Sequence, residues 1–536
     1  MTPDFITPVL DYLLLAPFLI VLGAACVGIL VEAFVPRGGR FYTQVVVSVL
    51  GLVSALGVIL WRWGSDGQGL IDPWKDNIVT GTLIIDGPAQ VFWTIIFGFG
   101  LIAVISFAER RVHAGATAFT PTAAAIPGSK AESEAAQAGL IHSEIFPLAL
   151  FSMAGMAMLV SANDLLMLFL GLEILSLPLY VMVGMSRHRR LVSQEAALKY
   201  FLLGAAASAI FLFGVAFLFG YSGSFAYDRL VETITFTSGG EGLLLGGIGL
   251  IGVGLLFKIG AVPFHSWVPD VYQGAPTPVT AFMSICTKAA AVGGFLRLFY
   301  VALGGFRWTW QPIFAGVAIL TIFVGAIIAI NQKDIKRVLA YSAITHAGFI
   351  LVPLVGASTM DTGLIDGQAG SVASIMFYLV AYGFAAIGAF SIVSLVRKQG
   401  HEITDLSAWA GVGKRNPFVS VLFVIFLLSM AGIPLTAGFV GKFAAFAAAW
   451  QGGFAWLALA AILGAIIAVY IYIRVIQVMF FTEPDEGADE VELAVPGVAT
   501  WIVLTVCMLG TIGLGLVPGP LLELLQNASA FIIPAK

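Results

Sequence analysis

Charge is what this sequence has least of. Only 10% of its 536 residues are Asp, Glu, Lys or Arg, and 59% are hydrophobic, whereas an ordinary soluble domain is about a quarter charged. So little polar surface cannot cover a water-facing fold of this size, which excludes a soluble globular enzyme. Cysteine is also scarce. Cys26, Cys286 and Cys507 stand singly in apolar stretches, without the close spacing that zinc or iron–sulfur ligation uses, and they read as packing residues. No nucleic-acid partner and no metal are expected. Basic residues are missing at the start, where Asp4 and Asp11 precede the first apolar run with no Lys or Arg. A cleavable signal peptide begins with basic residues, so this run is expected to remain as helix 1.

What is present is a series of apolar runs of roughly 20 residues or more, the length a helix needs to cross about 30 Å of hydrocarbon. Fourteen are read, at 12–35, 41–63, 83–108, 144–162, 165–185, 191–221, 242–268, 276–303, 312–330, 335–355, 371–396, 417–450, 454–481 and 495–516. The fold class is therefore an all-α polytopic membrane protein embedded in a lipid bilayer. Lys and Arg are unevenly shared between alternate loops. Fifteen follow odd-numbered helices (Arg37, Arg40, Arg110, Arg111, Lys130, Arg187, Arg189, Arg190, Lys333, Lys336, Arg337, Arg397, Lys398, Lys414 and Arg415) and five follow even-numbered ones (Arg62, Lys75, Arg229, Arg307 and Lys536). Positive loops stay preferentially in the cytoplasm, so both termini are expected on the other side of a bacterial inner membrane. Residues 112–140, rich in Ala, Thr, Pro, Gly and Ser, read as a loop unable to bury a core of its own. The acidic run 483–492 reads as a solvated loop or a contact with a neighbouring subunit.

Subtracting those twenty loop cations from the 26 Lys and Arg leaves Lys199, Lys258, Lys288, Arg297, Lys442 and Arg474 within the runs, joined by Glu173. A lysine at the bilayer centre costs about 3 kcal/mol on insertion scales, so several together imply a hydrated or paired interior path. Lys288 lies twelve residues after Pro276, roughly 18 Å along a helix and too deep to reach the surface easily. Lys258 precedes Pro263 by five residues, and a proline there leaves the carbonyl of Ile259 without its helical partner. Lys442 follows Pro434 in AGIPLTAGFVGKF and repeats the theme. Broken helices beside charges are how membrane proteins form polar cavities at depth. Glu173, in LFLGLEILSLP, offers the negative partner these lysines lack, or else a counter-ion that never titrates. Lys199 is near enough to a helix end to reach the interface with its long stem.

Arg297 and Arg474 lie closer to helix ends, and arginine does not deprotonate in proteins, so both read as structural anchors. His265 and His346 admit two readings, a proton relay near neutral pH or a histidine hydrogen-bonded for packing. Burial disfavours a charged lysine and a nearby carboxylate favours it, so a changing Lys–Glu distance can load and unload a proton. Gly247, Gly249 and Gly252 match a GxGxxG pattern, but inside an apolar run with no preceding strand, and small residues there permit close helix packing.

At these residues the chain resembles the antiporter-like subunits of respiratory complex I (NADH:quinone oxidoreductase) and the related Mrp-type sodium/proton antiporters. The most specific segment is FKIGAVPFHSWVPDVYQGAPTPVTAFMS at 257–284, supported by KDIKRVLAYSAITHAGFIL at 333–351 and by AGIPLTAGFVGKF at 431–443. The wording PDVYQGAPTPV is closest to the subunit N branch, as is the absence of a long lateral helix after the last run. The resemblance implies two inverted five-helix repeats, helices 4–8 and 9–13, with helices 7 and 12 broken. It implies domains at 1–143, 144–303, 304–482 and 483–536. It also implies a proton path through Glu173, Lys199, Lys258, Lys288 and Lys442. Other membrane-arm subunits, including paralogous antiporter-like ones, would be partners; NADH, FMN, iron–sulfur clusters and quinone would bind to partner subunits and no cofactor to this chain. Two rivals stand beside it: an Mrp-type sodium/proton antiporter subunit, and a scaffold that moves no ions.

Overall fold

The computed structural model describes residues 11–65, 82–113, 115–122, 141–187, 189–236, 239–356, 370–483 and 491–531, with a few isolated positions between 123 and 140. The ten first and five last residues, part of the 112–140 loop, Lys75 and the acidic positions 484–490 lie outside the described residues. Each of the fourteen expected runs corresponds to a helix or to a pair of half-helices. These are α1 (Tyr12–Phe34), α2 (Arg37–Ser65), α3 (Gly87–Phe107), α4 (Ile145–Ser161), α5 (Leu165–Val183) and α6 (Arg190–Ser222). There follow α7 in two halves (Glu241–Ile259 and Trp267–Gly274), α8 (Thr277–Leu296), α9 (Arg307–Ile330), α10 (Ile335–Val355) and α11 (Ser371–Val393). The last are α12, also in two halves (Pro417–Ala431 and Ala437–Gln451), α13 (Ala455–Phe481) and α14 (Val498–Leu516). Among the described residues, twelve helices are long and apolar enough to cross a membrane, or thirteen with a bent pair; α4 is shorter, at 17 residues, and each half of α12 has 15. The chain is a multi-pass, all-α membrane protein.

Local chemistry explains where the helices begin and stop. Aspartates cap α1, α3, α5 and α10: Asp11, Asp86, Asp164 and Asp334 each accept from a backbone N–H of the first turn, satisfying donors that have no intrahelical partner. The first halves of α7 and α12 both end on a left-handed glycine, Gly260 at φ +81° and Gly432 at φ +85°. Ala261 N–H then bonds back to the Leu256 carbonyl at 2.9 Å, and Ile433 N–H to that of Leu428 at 3.0 Å, the closing bond of a Schellman turn. Pro263 and Pro434 fall inside the two breaks, as the sequence leads one to expect.

The core is the group α8, α10 and α11. Every residue of α8 is buried, and so is nearly all of α10 and α11. The outer helices instead show rows of exposed apolar side chains, among them Leu50, Phe201, Leu320, Leu463, Ile466 and Leu509, a surface that suits lipid or a neighbouring membrane subunit and not water. The loops after odd-numbered helices do share one side. Arg110 bonds Tyr42, Arg189 bonds Thr404, Gln273 bonds Asp334 and Arg397 meets His113. On that side β1 (Val396–Lys398) pairs antiparallel with β2 (His401–Glu402) and with β3 (Val491–Leu493). This sheet is a correction to the reading of helix 11, which stops at Val393 instead of continuing to 396. Two short amphipathic helices, Tyr227–Phe236 and Gly519–Asn527, were also not foreseen.

Candidate functional site

Lys258 and Lys442 stand beside the breaks of the two broken helices, one before its break and the other after it. Lys258 is in the last turn of the first half of α7. Lys442 is on the second half of α12 and reaches back to donate to the carbonyl of Ala431, the last residue of the first half, at 2.8 Å. A helix C-terminus carries partial negative charge on its unpaired carbonyls, so an ammonium is favoured there without a carboxylate. Aromatic faces complete both sites. Lys258 Nζ lies 5.5 Å from the ring centre of Tyr180 and 5.4 Å from that of Tyr200, and Lys442 Nζ lies 4.9 Å from that of Phe349, within the range of cation–π attraction. Lys258 Nζ is buried without a hydrogen-bond partner. The α7 break is braced by Trp267, whose indole N–H donates to the carbonyl of Phe257 at 2.9 Å.

Lys288 is on the fully buried α8. Its ammonium donates to the Ala343 carbonyl of α10 at 2.5 Å and lies 5.3 Å from the centre of the Tyr382 ring. His346, one turn further along α10, packs on the same Tyr382 ring at 4.8 Å and on Phe349 at 5.9 Å. The order Lys288, Tyr382, His346, Phe349, Lys442 is thus continuous in contact. His346 also has both ring nitrogens engaged, Nδ1 with the Tyr378 hydroxyl at 2.7 Å and Nε2 with that of Tyr472 at 3.0 Å. Tyr472 in turn meets Ser342 Oγ at 2.5 Å. A small cavity, with about 10 Å³ open to the centre of a water molecule, is lined by His346, Tyr378, Tyr382 and, at the α12 break, Ser429 and Gly438.

Other expected site residues are placed differently. Lys199 does not meet Glu173; its side chain is 43% exposed and pairs with Asp270 Oδ2 at 2.8 Å and Glu195 Oε1 at 2.7 Å. Asp270 Oδ1 also takes Arg337 Nη1 at 2.7 Å, so one carboxylate from the second half of α7 ties α6 to α10. Glu173 has a buried Oε1 with no hydrogen-bond partner, and His265, inside the α7 break, has a buried Nδ1 in the same condition. Arg297 forms a fully buried bidentate pair with Asp86, both bonds at 2.6 Å, and Arg474 donates to the carbonyls of Ile330 and Gln332; both anchor structure. Lys336, read from the sequence as a loop cation, is instead buried at 3% exposure and donates to the Ala275 carbonyl at 2.7 Å. Asp86, Asp270, Lys336, Tyr378 and Tyr472 are the polar residues the sequence reading missed. Of the three glycines in the GxGxxG match, a Cβ on Gly247 would meet Leu218 at 2.5 Å and one on Gly252 would meet Phe314 at 3.1 Å, which is helix packing. Cys286 and Cys507 are buried, whereas Cys26 is exposed on α1.

Residues 162–468 match the family described as NADH:quinone oxidoreductase/Mrp antiporter, TM. Over 99% of its length the chain is 48% identical to NADH-quinone oxidoreductase subunit N of Cutibacterium acnes, covering 97% of that protein. It is 50% identical to the subunit N of a Nocardioides species over 99% of this chain and 100% of that one. Among solved structures, a chain of respiratory complex I from Thermus thermophilus superposes with a TM-score of 0.72 at 29% identity, over 95% of this chain and 98% of that one. A chain of the Mrp complex from a Dietzia species shares the fold, with a TM-score of 0.75 at 21% identity over 96% of this chain and 97% of that one.

Proposed function

Because the chain belongs to the NADH:quinone oxidoreductase/Mrp antiporter membrane family, in company with the complex I subunits N, we propose that it carries protons across a bacterial inner membrane through its own buried lysines, driven by electron transfer in other subunits. The supporting observation is the run of contacts from Lys288 through Tyr382, His346 and Phe349 to Lys442. Lys258, Lys288 and Lys442 are buried, and among the described residues none makes an ion pair with a carboxylate. Carbonyls and ring faces hold such a charge loosely enough for it to come and go, where a permanent ion pair would hold it fixed.

On this reading Glu173 modulates Lys258. Approach of the unpartnered carboxylate favours the ammonium, and withdrawal favours release of its proton. Lys199, paired with Asp270 at the rim, answers to the same movement through α6 and the second half of α7. His265 and His346 act as relays, the second between Lys288 and Lys442. The cation-rich loops face the cytoplasm and both termini lie outside it. The repeats 144–303 and 304–482 each contribute one broken helix, flanked by 1–143 and 483–536. Moving one charge through the field costs about 2.3 kcal/mol per 100 mV. That energy comes from partner subunits that hold NADH, FMN, iron–sulfur clusters and quinone, with paralogous antiporter-like subunits alongside in the membrane arm.

The test is NADH-driven proton uptake by inverted membrane vesicles containing the whole complex with Lys258→Ala, with assembly checked on native gels. Loss of pumping and of coupled NADH oxidation in an assembled complex is the expected result. Normal pumping would overturn the lysine path and leave the scaffold reading.

A further inference from the structure

Apart from its lysine, α8 carries a second polar track. Thr277, Thr280, Ser284, Thr287 and Lys288 follow at steps of three, four, three and one residue, all buried. At 3.6 residues per turn they occupy a single stripe roughly 100° wide. Inside a helix a hydroxyl commonly bonds a carbonyl of its own preceding turn. Ser284 and Thr287 do so, to Ala281 at 2.7 Å and Met283 at 2.6 Å, and Thr280 donates to the Tyr272 carbonyl at 3.2 Å. That habit explains Ser284 and Thr287. It does not explain what stands at the two ends.

One end is Lys288. At the other, on the cation-rich side, Thr277 Oγ1 donates to Glu402 Oε1 at 2.6 Å. Glu402 belongs to β2, is 17% exposed, and stands 3.9 Å from the Nζ of buried Lys336. Thr277, Lys336, Glu402, Gln273 and Ser186 line a cavity with about 30 Å³ open to the centre of a water molecule, more than the roughly 10–15 Å³ one water needs. A carboxylate that touches solvent and a cavity with room for a water therefore stand at one end of a hydroxyl stripe that ends, at the other, in a buried amine.

We propose that Glu402 is the mouth of a proton inlet that follows the hydroxyl stripe of α8 to Lys288, with Lys336 as the positioning counter-charge at the mouth. The inference rests on the proton-carrying reading above and adds an entrance to it, separate from Glu173 and Lys258, which remain the groups that drive the cycle. A proton from cytoplasmic water joins a carboxylate oxygen of Glu402. The stripe hydroxyls stand about 4.5–6 Å apart along the axis, so transfer from one to the next needs a bridging water. Each oxygen accepts one proton and releases another, and the neutral amine of Lys288 takes the last, with as many N–H and O–H bonds made as broken.

The experiment compares protons moved per NADH oxidised in inverted vesicles carrying the whole complex with Glu402→Gln, Glu402→Asp, Thr280→Val or Ser284→Ala, and with Lys258→Ala in parallel. Glu402→Gln and Thr280→Val are expected to lose most of the proton-to-NADH ratio while Glu402→Asp retains it. An unchanged ratio in the Gln and Val variants, or equal loss in Gln and Asp, would overturn the inlet. If Thr280→Val fails to assemble, the smaller Ser284→Ala carries the test by the same criterion. Should Lys258→Ala lose pumping while the inlet variants keep it, the inlet alone is wrong. Should Lys258→Ala and the inlet variants all pump normally, the proton-carrying reading is wrong with it.

Discussion

Lys442 donates its ammonium N–H to the carbonyl of Ala431 across the break of its own helix, 2.8 Å away. Gly432 makes this possible: a Cβ there would stand 2.8 Å from Lys442 Cδ, at a backbone φ of +85°. Gly432→Ala is expected to displace the lysine, at a backbone cost of about 1–2 kcal/mol, and to lower pumping in the assembled complex towards the level of Lys442→Ala. Gly249→Ala, where an added Cβ meets nothing within 4 Å, should leave pumping intact. Equal pumping in both alanine variants would show that the bond across the break is dispensable.

Breaking the buried Arg297–Asp86 pair should cost more than any other single polar change. Asp86→Ala leaves a guanidinium without its carboxylate at a position with no exposure, a loss of about 3–5 kcal/mol. The expected outcome is a large fall in the thermal midpoint of the purified complex, read by loss of the native gel band on heating. Asp86→Leu combined with Arg297→Met should recover much of it, because no buried charge then remains unpaired.

Tyr472→Phe keeps the ring but removes the hydroxyl shared by Ser342 and His346. Each such bond contributes about 1 kcal/mol, so assembly should survive. Pumping should fall, since His346 Nε2 is left without its partner. Tyr378→Phe tests the other ring nitrogen in the same way. Full pumping by both variants would remove His346 from the relay.

The rim pair behaves differently. Lys199 is partly exposed, so Lys199→Ala should change stability by no more than about 1 kcal/mol. Asp270→Ala should cost more, because Arg337 loses its partner as well. A double-mutant cycle on thermal midpoints, with Lys199→Ala and Arg337→Ala each combined with Asp270→Ala, separates the two bonds.

The sequence announces its helices and its deepest lysines because a charge within an apolar run is conspicuous, and a proline beside it marks a broken helix. Pro263 and Pro434 fall in the breaks for that reason. Asp86, Asp270 and Lys336 escaped because each lies at the edge of a run, where a charge looks like loop; only the fold shows Asp86 against Arg297, 211 positions away. Tyr378 and Tyr472 escaped because tyrosine in a membrane helix reads as apolar until its hydroxyl finds a partner. The sheet formed by Val396–Lys398 and Val491–Leu493 depends on a distant pairing that no local pattern encodes.

The complete burial of α8 bears on how the protein is made. A segment carrying Lys288 and Arg297 partitions poorly into lipid on its own, each such charge near the centre costing about 2.5–3.5 kcal/mol. It also has no lipid-facing side in the finished fold. Asp86 and α3 are synthesised well before it, so the partner of Arg297 is already in the membrane when α8 leaves the ribosome. The Arg297–Asp86 pair thus makes insertion of α8 dependent on prior docking of α3. A variant lacking Asp86 is therefore expected to deliver less assembled complex to the membrane, with α8 slower to leave the translocon, besides melting earlier once assembled.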